Sequence, residues 1–174
     1  MSRAVRFAPL ALLVLVVAAL VWRLATPADT TVSSKLESEP VPAFALPAAL
    51  PAKPALSSTD LQGRPRLLNI FASWCVPCIT EVKVLDQLRR EGVAIDGIAV
   101  RDRPEDLAAF LARNGDPYER IGSDGQSRVQ IALGSSGVPE SFVVDGRGII
   151  RHQHVGPIEP ADVPIILAQL EQAK

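Results

Sequence analysis

The sequence is poor in cysteine, histidine, methionine and aromatic residues. Of its 174 residues, two are cysteine, two are histidine and one is methionine, and 5% are aromatic. Two cysteines are too few for a small domain stabilised by several disulfides. They also leave no second Cys-x-x-Cys pair with which to complete a four-cysteine zinc site. All the thiol chemistry of the chain therefore lies in one local motif, from Cys75 to Cys78.

An excess of positive charge is also absent. Arg3, Arg6 and Arg23 are the only charged residues before residue 29, so residues 29–174 carry 15 basic and 19 acidic groups. Nucleic-acid binding depends on Lys and Arg side chains that neutralise phosphates. We therefore expect no nucleic-acid partner for this mildly acidic chain.

The longest uncharged run lies near the N-terminus and predicts a membrane anchor. Residues 7–22 contain no charge, and Arg3 and Arg6 precede them. Extended through residue 25, a helix would be about 28 Å long, close to the ~30 Å hydrocarbon core of a bilayer. We expect residues 7–25 to span the inner membrane once, with residues 1–6 as the cytoplasmic n-region. The alternative is a cleaved signal peptide, although no clean cleavage motif follows.

The residues after this anchor are predicted to face the periplasm, where thiols tend to be oxidised. Residues 26–39 form the predicted linker, and the folded domain is expected to cover residues 40–174. Prolines at positions 40, 42, 47, 51 and 54 block helix and interior strand. This part of the domain should begin with an extended edge segment around residues 41–46.

From residue 66 onward, the hydrophobic pattern alternates between strands and helices. Residues 66–72 predict a strand buried on both faces, and residues 79–91 predict a helix whose buried side begins with Ile79. A strand over residues 93–100 follows, and Asp102 is predicted to cap the helix that begins near Pro104. A strand (118–121), a short helix (126–133), a hairpin (140–144 and 149–155) and a helix (160–172) complete the order. The predicted fold class is α/β, a mixed sheet flanked by helices.

Cys75 and Cys78 lie where the first buried strand ends and a helix begins. Thiols at positions i and i+3 can form a disulfide within one turn, and the N-terminal end of a helix stabilises a thiolate. Cys75 is therefore the predicted nucleophile, and Cys78 is the predicted thiol that resolves the mixed disulfide. Pro77 suits the first helical turn. We expect no cofactor besides this redox-active pair.

The cysteine pair has two alternative interpretations, a zinc knuckle and a chemically inert pair in the core. A zinc knuckle needs four ligands, and the only histidines, His152 and His154, lie far along the chain as predicted surface or half-buried strand residues. No metal is therefore expected. A chemically inert pair of core cysteines is disfavoured by the position at a helix start and by the neighbouring Trp74 and Pro77.

These motifs carry a resemblance to a known family. Trp-Cys-x-x-Cys after an apolar strand, followed by Gly-Val-Pro-Glu at 137–140 before another strand, resembles the thioredoxin superfamily. More narrowly, LLNIFASWCVPC and GVPESFVVDGRGIIRHQHVGPI, with the predicted anchor, resemble the periplasmic thiol:disulfide interchange proteins of cytochrome c maturation, the CcmG/DsbE group. The resemblance covers residues 40–172 and implies a thioredoxin-like fold.

The resemblance implies roles for residues beyond the cysteines. Pro139 matches the family's cis-proline beside the disulfide, which would leave the backbone of Val138 free to pair with an extended substrate. Trp74 is expected to line the docking surface, the alternative being that it fills the core. Glu81 and Glu140 match acidic positions of the group and would tune the thiols. Their alternatives are a solvated helix face for Glu81 and a surface charge at a strand end for Glu140.

Two further features follow from the same resemblance. Asn69 occupies the position where thioredoxin has a buried aspartate, and an amide cannot take up and release a proton as a carboxyl group does. Residues 102–119 resemble a stretch that this group inserts into the thioredoxin core, and they are expected to influence partner choice.

The resemblance implies a reductase of disulfides in apocytochrome c or in a heme-lyase subunit of CcmH type. Its expected electron donor is a transmembrane thiol reductase of the DsbD/CcdA type. A TlpA-like reductase for the copper-site cysteines of respiratory oxidases is an alternative with the same chemistry. A membrane-tethered binding module without catalytic activity is an alternative of another class.

Overall fold

The computed structural model describes residues 12–19, residue 22 and residues 36–174. The chain divides into two units, Met1–Val32 and Ser33–Lys174. In the first unit, residues 12–19 and residue 22 are helical. None of the helices described is long and apolar enough to cross a membrane. The predicted n-region lies outside the described residues, as do most of the anchor (7–25) and linker (26–39), and all three stay predictions.

Residues 36–174 of the second unit contain seven strands, four α-helices and one 3₁₀ helix. The first two strands, β1 (Ala45–Leu46) and β2 (Leu56–Ser57), pair with each other and precede the 3₁₀ helix Ser58–Leu61. The remaining strands are β3 (Arg66–Phe71), β4 (Ile95–Val100), β5 (Arg120–Asp124), β6 (Glu140–Val144) and β7 (Ile150–Val155). The α-helices are α1 (Val76–Arg90), α2 (Pro104–Asn114), α3 (Arg128–Ala132) and α4 (Val163–Gln172).

Five of the strands form one mixed sheet in the order β5-β4-β3-β6-β7. Strands β3, β4 and β5 are parallel, whereas β6 is antiparallel to β3 and β7 is antiparallel to β6. Strand β3 lies at the centre, and all six of its residues are buried. This burial explains its nearly continuous apolar sequence, because helices or loops cover both faces of a central strand.

Two hydrophobic clusters cover the two faces of the sheet. The first contains Leu67 and Phe71 of β3 together with apolar side chains of α1, α2 and α4. The second contains Leu68 and Ile70 of β3, residues of the N-terminal strand segment and Val129 of α3. Because successive side chains of a strand point to opposite faces, odd-numbered residues of β3 face α1 and even-numbered residues face away from it.

The predicted order of strands and helices from residue 66 is confirmed, and the differences are local. The extended segment predicted over 41–46 is a strand only at Ala45–Leu46, and the strand predicted at 118–121 begins at Arg120. Ile79 was predicted to be buried but is 40% exposed, because the helix begins at Val76 and turns this first apolar position outward.

The prediction that Asp102 caps α2 is wrong. The N-cap residue of α2 is Arg103, which makes no side-chain capping bond. The carboxylate of Asp102 instead accepts hydrogen bonds from the backbone N–H and the hydroxyl group of Ser73, with the N–H bond at 2.6 Å. This interaction ties the loop before the cysteine pair to the end of β4.

Candidate functional site

Cys75 and Cys78 form a disulfide at the N-terminus of α1, directly after the central strand. Cys75 is the N-cap residue, and its Sγ accepts a hydrogen bond from the backbone N–H of Cys78 at 3.3 Å. The two residues are 4% and 1% exposed. A reduced Cys75 in this position would have both the N–H group and the helix dipole to stabilise its thiolate.

Apolar side chains surround the disulfide on the surface. Trp74 is 58% exposed and Val76 is 73% exposed, and Ile79 is exposed one turn further along α1. Trp74 therefore does not fill the core, and its position suits the docking surface predicted for it. Exposed apolar groups next to a reactive disulfide are typical of a surface that binds another chain.

Pro139 and Val138 lie at the start of β6. The Val138–Pro139 peptide bond is cis, as the resemblance implied. Val138 is half-buried and packs against the core cluster that contains both cysteines. Within residues 36–174, neither the N–H nor the C=O of Val138 has a hydrogen-bond partner. The backbone of Val138 is thus free to bind an extended segment of another chain.

Glu81 lies inside the protein, three residues after Cys78 on α1. It is 1% exposed, so the alternative of a solvated helix face is wrong. Its Oε1 accepts the backbone N–H of Ile158 at 3.0 Å, and its Oε2 accepts Asn69 Nδ2 at 3.2 Å. Burial raises the pKa of Glu81 to about 7, although both hydrogen bonds lower it. Glu81 can therefore gain or lose a proton near neutral pH.

Asn69 connects Glu81 to two further polar side chains. Its Nδ2 also donates to Ser141 Oγ at 2.9 Å, and its Oδ1 accepts the hydroxyl group of Tyr118 at 2.8 Å. Asn69 is fully buried, and its side chain faces α1. Where thioredoxin has an acid, this chain has an amide that positions another acid.

Glu140 is fully buried as well, so the alternative of a surface charge is wrong. Its carboxylate accepts the hydroxyl group of Ser135 at 2.6 Å, the N–H of Ser136 at 2.9 Å and the side-chain amide of Gln153. These bonds hold the loop that leads to Pro139. Glu140 shares a face of β6 with Phe142 of the second cluster, so Glu81 and Glu140 lie on opposite faces of the sheet.

The two histidines lie on β7 and are half-buried. His152 Nδ1 is 4.0 Å from Glu37, and His154 Nε2 is 3.7 Å from Asp162. Burial lowers the pKa of His152. The polar partners of the two rings are therefore on the N-terminal segment and near α4, and not the cysteine pair.

Three partners of the buried network were missed by sequence reasoning: Tyr118, Ser141 and Ile158. Each lies more than 35 positions from Cys78: Ser141 is on β6, Tyr118 is on the connection between α2 and β5, and Ile158 is on the connection between β7 and α4. The sequence offered one signal, since Tyr118 is the only tyrosine of the chain. That Asn69 is the partner of Tyr118 could not be inferred without the crossover that brings β5 beside β4.

Comparisons with known proteins agree with this geometry. A family model described as Redoxin matches residues 36–170. The thiol:disulfide interchange protein DsbE of Escherichia coli K12 is 36% identical over 165 residues, which cover 92% of this chain and 89% of that protein. The thiol:disulfide interchange protein HelX of Rhodobacter capsulatus is 40% identical over 110 residues, which cover 63% of this chain and 62% of that protein.

A solved structure shares the fold. The crystal structure of a thiol:disulfide interchange protein of the thioredoxin family from Chlorobium tepidum TLS superimposes with a TM-score of 0.62 at 26% sequence identity. The match covers 75% of this chain and 94% of that chain. The thioredoxin-like α/β fold implied by the sequence is therefore confirmed.

Proposed function

The chain belongs to the redoxin family and, within it, to the DsbE-type thiol:disulfide interchange proteins, and we propose that it reduces protein disulfides in the periplasm during cytochrome c maturation. The observation that carries the proposal is the disulfide at the start of α1 with the buried Glu81 on the same helix. Exchange between this pair and a disulfide of another protein is the reaction for which the site is built.

The first step is attack by Cys75 of the reduced protein. Its thiolate, stabilised by the N–H of Cys78, attacks one sulfur of a client disulfide. The client S–S bond breaks, a bond forms between Cys75 Sγ and the client, and the other client cysteine leaves as a thiolate. The product is a mixed disulfide between the two proteins.

The second step is resolution by Cys78. Its thiol loses a proton and attacks Cys75 Sγ, which forms the Cys75–Cys78 disulfide and releases the second client cysteine as a thiolate. The client gains two electrons and this protein loses two. We propose that Glu81 receives the proton of Cys78, because its carboxyl group lies three residues further on the same helix and its pKa is about 7.

The client is proposed to bind over the exposed rim of the disulfide. Trp74, Val76 and Ile79 offer apolar contact area, and the free N–H and C=O of Val138 offer two backbone hydrogen bonds. An extended peptide with a disulfide would satisfy both requirements. The loop held by Glu140 keeps Val138 in place for this pairing.

The proposed client is apocytochrome c or a CcmH-type subunit of the heme lyase. Reducing work in an oxidising compartment needs a supply of electrons, and a transmembrane donor of the DsbD/CcdA type is the proposed source. An anchor over residues 7–25 would keep the domain at the membrane close to that donor. The relatives named DsbE and the residue pattern of the N-terminus support this assignment.

The test is reduction of a Cys-x-x-Cys-His peptide disulfide by the reduced protein, followed by mass spectrometry. We expect faster reduction of this peptide than of a peptide with the same cysteine spacing and a scrambled flanking sequence. Cys75→Ser should abolish the reaction. Faster reduction of a copper-site peptide would favour the TlpA-like alternative, and no reduction of any peptide would contradict a reductase.

A further inference from the structure

A chain of buried hydrogen bonds joins the segment between α2 and β5 to the carboxyl group of Glu81. The hydroxyl group of Tyr118 donates to Asn69 Oδ1 at 2.8 Å, and Asn69 Nδ2 donates to Glu81 Oε2 at 3.2 Å. The three residues are 4%, 0% and 1% exposed. Contacts between protein groups alone therefore determine how the amide of Asn69 is oriented.

The phenolic hydrogen of Tyr118 selects one of the two possible orientations of this amide. Burial raises the pKa of Tyr118 well above 10, so the hydroxyl group keeps its proton. Among the described residues, Asn69 Oδ1 is the only acceptor that it contacts. A reversed amide would leave this buried donor without an acceptor, which is unfavourable. Ser141 Oγ accepts from Asn69 Nδ2 in this orientation and could donate to Oδ1 in the reversed one, so a hydrogen bond between Ser141 and the amide exists in either.

We propose that Tyr118 is a positioning residue for thiol–disulfide exchange, in which its hydroxyl group holds the amide of Asn69 with the N–H, and not the carbonyl oxygen, facing Glu81. The inference rests on the role in exchange proposed above for Glu81. It extends the site to a residue of the 102–119 segment, which reaches Glu81 through its hydrogen bond to Asn69.

The orientation of the amide affects the proton of Glu81. An N–H donor stabilises the carboxylate, whereas a carbonyl oxygen in its place would stabilise the protonated acid, which can donate to it. The N–H groups of Asn69 and Ile158 both lower the pKa of Glu81 against the effect of burial. Loss of the correct orientation should therefore raise the pKa further above 7.

The other ionisable groups around Glu81 are few. Within the part of the chain that the structure describes, no Lys, Arg or His side chain forms an ion pair with it. Cys75 and Cys78 lie on its own helix, and Tyr118 faces it from the α2–β5 connection. His154 of β7 and Asp162, directly before α4, flank the connection that supplies Ile158, and they lie 3.7 Å from each other.

The test is Tyr118→Phe, which removes the hydroxyl group and keeps the ring stacked on Phe71 with centroids 4.5 Å apart. The titration of the Glu81 carboxyl carbon is followed by ¹³C NMR in oxidised and in reduced protein. We expect the midpoint to rise by about one pH unit. The pH profile of peptide-disulfide reduction should move upward by the same amount.

Two further variants separate positioning from other effects. Ser141→Ala removes the other partner of the amide without reversing it, so the midpoint of Glu81 should not rise. In an Asn69→Leu background, Tyr118→Phe should cause no additional shift, because Tyr118 acts through Asn69. An unchanged midpoint in Tyr118→Phe, or a full shift that persists in the Asn69→Leu background, would overturn the inference.

Failure of the proposed function and failure of the positioning role of Tyr118 give different results. If wild-type protein reduces no disulfide peptide, the proposed function fails. The NMR midpoint still reports whether Tyr118 positions the amide. If wild-type protein is active and the midpoint does not move, only the positioning role is lost.

Discussion

Two buried polar clusters lie on opposite faces of the central strands. Each contains a buried carboxyl group, and the two carboxyl groups have different kinds of partner. On the face away from α1, Asp96 of β4 forms an ion pair with Arg66 of β3, and Arg66 also reaches Glu119 at 3.3 Å. On the face toward α1, Glu81 is held by Asn69 and by a backbone N–H. Asp96 has a cation beside it, whereas Glu81 has only neutral donors.

The difference separates a structural cluster from the one to which we assign a role in thiol–disulfide exchange. Burial raises the pKa of Asp96 to about 6, and Arg66 opposes that rise. Burial raises the pKa of Glu81 to about 7 with only hydrogen bonds in opposition. A buried acid without a cation is costly to ionise, and such groups are frequent at functional sites. Adjacent residues of one segment, Tyr118 and Glu119, contribute to the two clusters.

The largest effect is expected from breaking the paired cluster. Arg66→Met leaves the fully buried Asp96 without its cation, which should lower the free energy of unfolding by about 3–5 kcal/mol. Urea unfolding at pH 7 measures the loss. The rate of disulfide exchange by the folded variant should stay within about twofold of the wild-type rate, since Arg66 and Asp96 lie on the other face of the sheet.

A matched double variant, Arg66→Met with Asp96→Leu, removes both charges and should recover most of the lost stability. A collapse of exchange activity in folded Arg66→Met would contradict the division between the clusters.

Glu81→Gln should have a smaller effect whose sign depends on pH. A folded pKa of about 7 lies above the unfolded value of 4.5, so the stability that protonated Glu81 contributes is complete below pH 4.5 and is lost as pH rises through 7. Relative to Glu81→Gln, wild type should lose roughly 3 kcal/mol of unfolding free energy between pH 4.5 and pH 9.

Urea unfolding of wild type and of Glu81→Gln across this pH range gives the difference in their free energies of unfolding. Asp96 titrates in both proteins, so its contribution cancels from that difference. The exchange rate of Glu81→Gln should also lack the titration near pH 7. A stability difference that is flat with pH would show that Glu81 keeps an ordinary pKa in the folded protein.

The smallest effect is expected from the exposed edge of the paired cluster. Arg64 Nη2 lies 2.6 Å from Glu119 Oε1, but the two side chains are 56% and 44% exposed. Water screens such a pair, so Arg64→Gln should change the free energy of unfolding by no more than about 0.5 kcal/mol. Thermal and urea unfolding at low and high salt test this. A loss above 1 kcal/mol would mean that Glu119 depends on Arg64 to hold Arg66.

These clusters also mark where sequence reasoning succeeded and where it failed. The apolar run of β3 and the helix after Cys75 were predictable, because burial on both faces and helical periodicity leave local patterns. The two cysteines were predictable as well, because their spacing at the junction of this strand and this helix is also a local pattern. Ile79 was misjudged because its position fits the apolar period of α1 although it lies in the first turn, beyond the core.

The interior of the site depends on contacts between distant residues. Glu81 and Glu140 were identified as acidic positions, but only the structure places them in the interior and on opposite faces of the sheet. Asp102 was assigned to a cap because an acid before Pro104 suits one, whereas its carboxylate binds Ser73 across 29 positions. Tyr118 meets Asn69 across 49 positions, and no local pattern records such a pair.

Trapping of a mixed disulfide distinguishes the attacking role proposed for Cys75 from the resolving role proposed for Cys78. Cys78→Ser and Cys75→Ser proteins are each incubated with an oxidised Cys-x-x-Cys-His peptide and examined by intact mass spectrometry at pH 7. We expect Cys78→Ser to accumulate a mixed disulfide through Cys75 and Cys75→Ser to accumulate none. Equal trapping through Cys78, or no adduct with either variant, would contradict it.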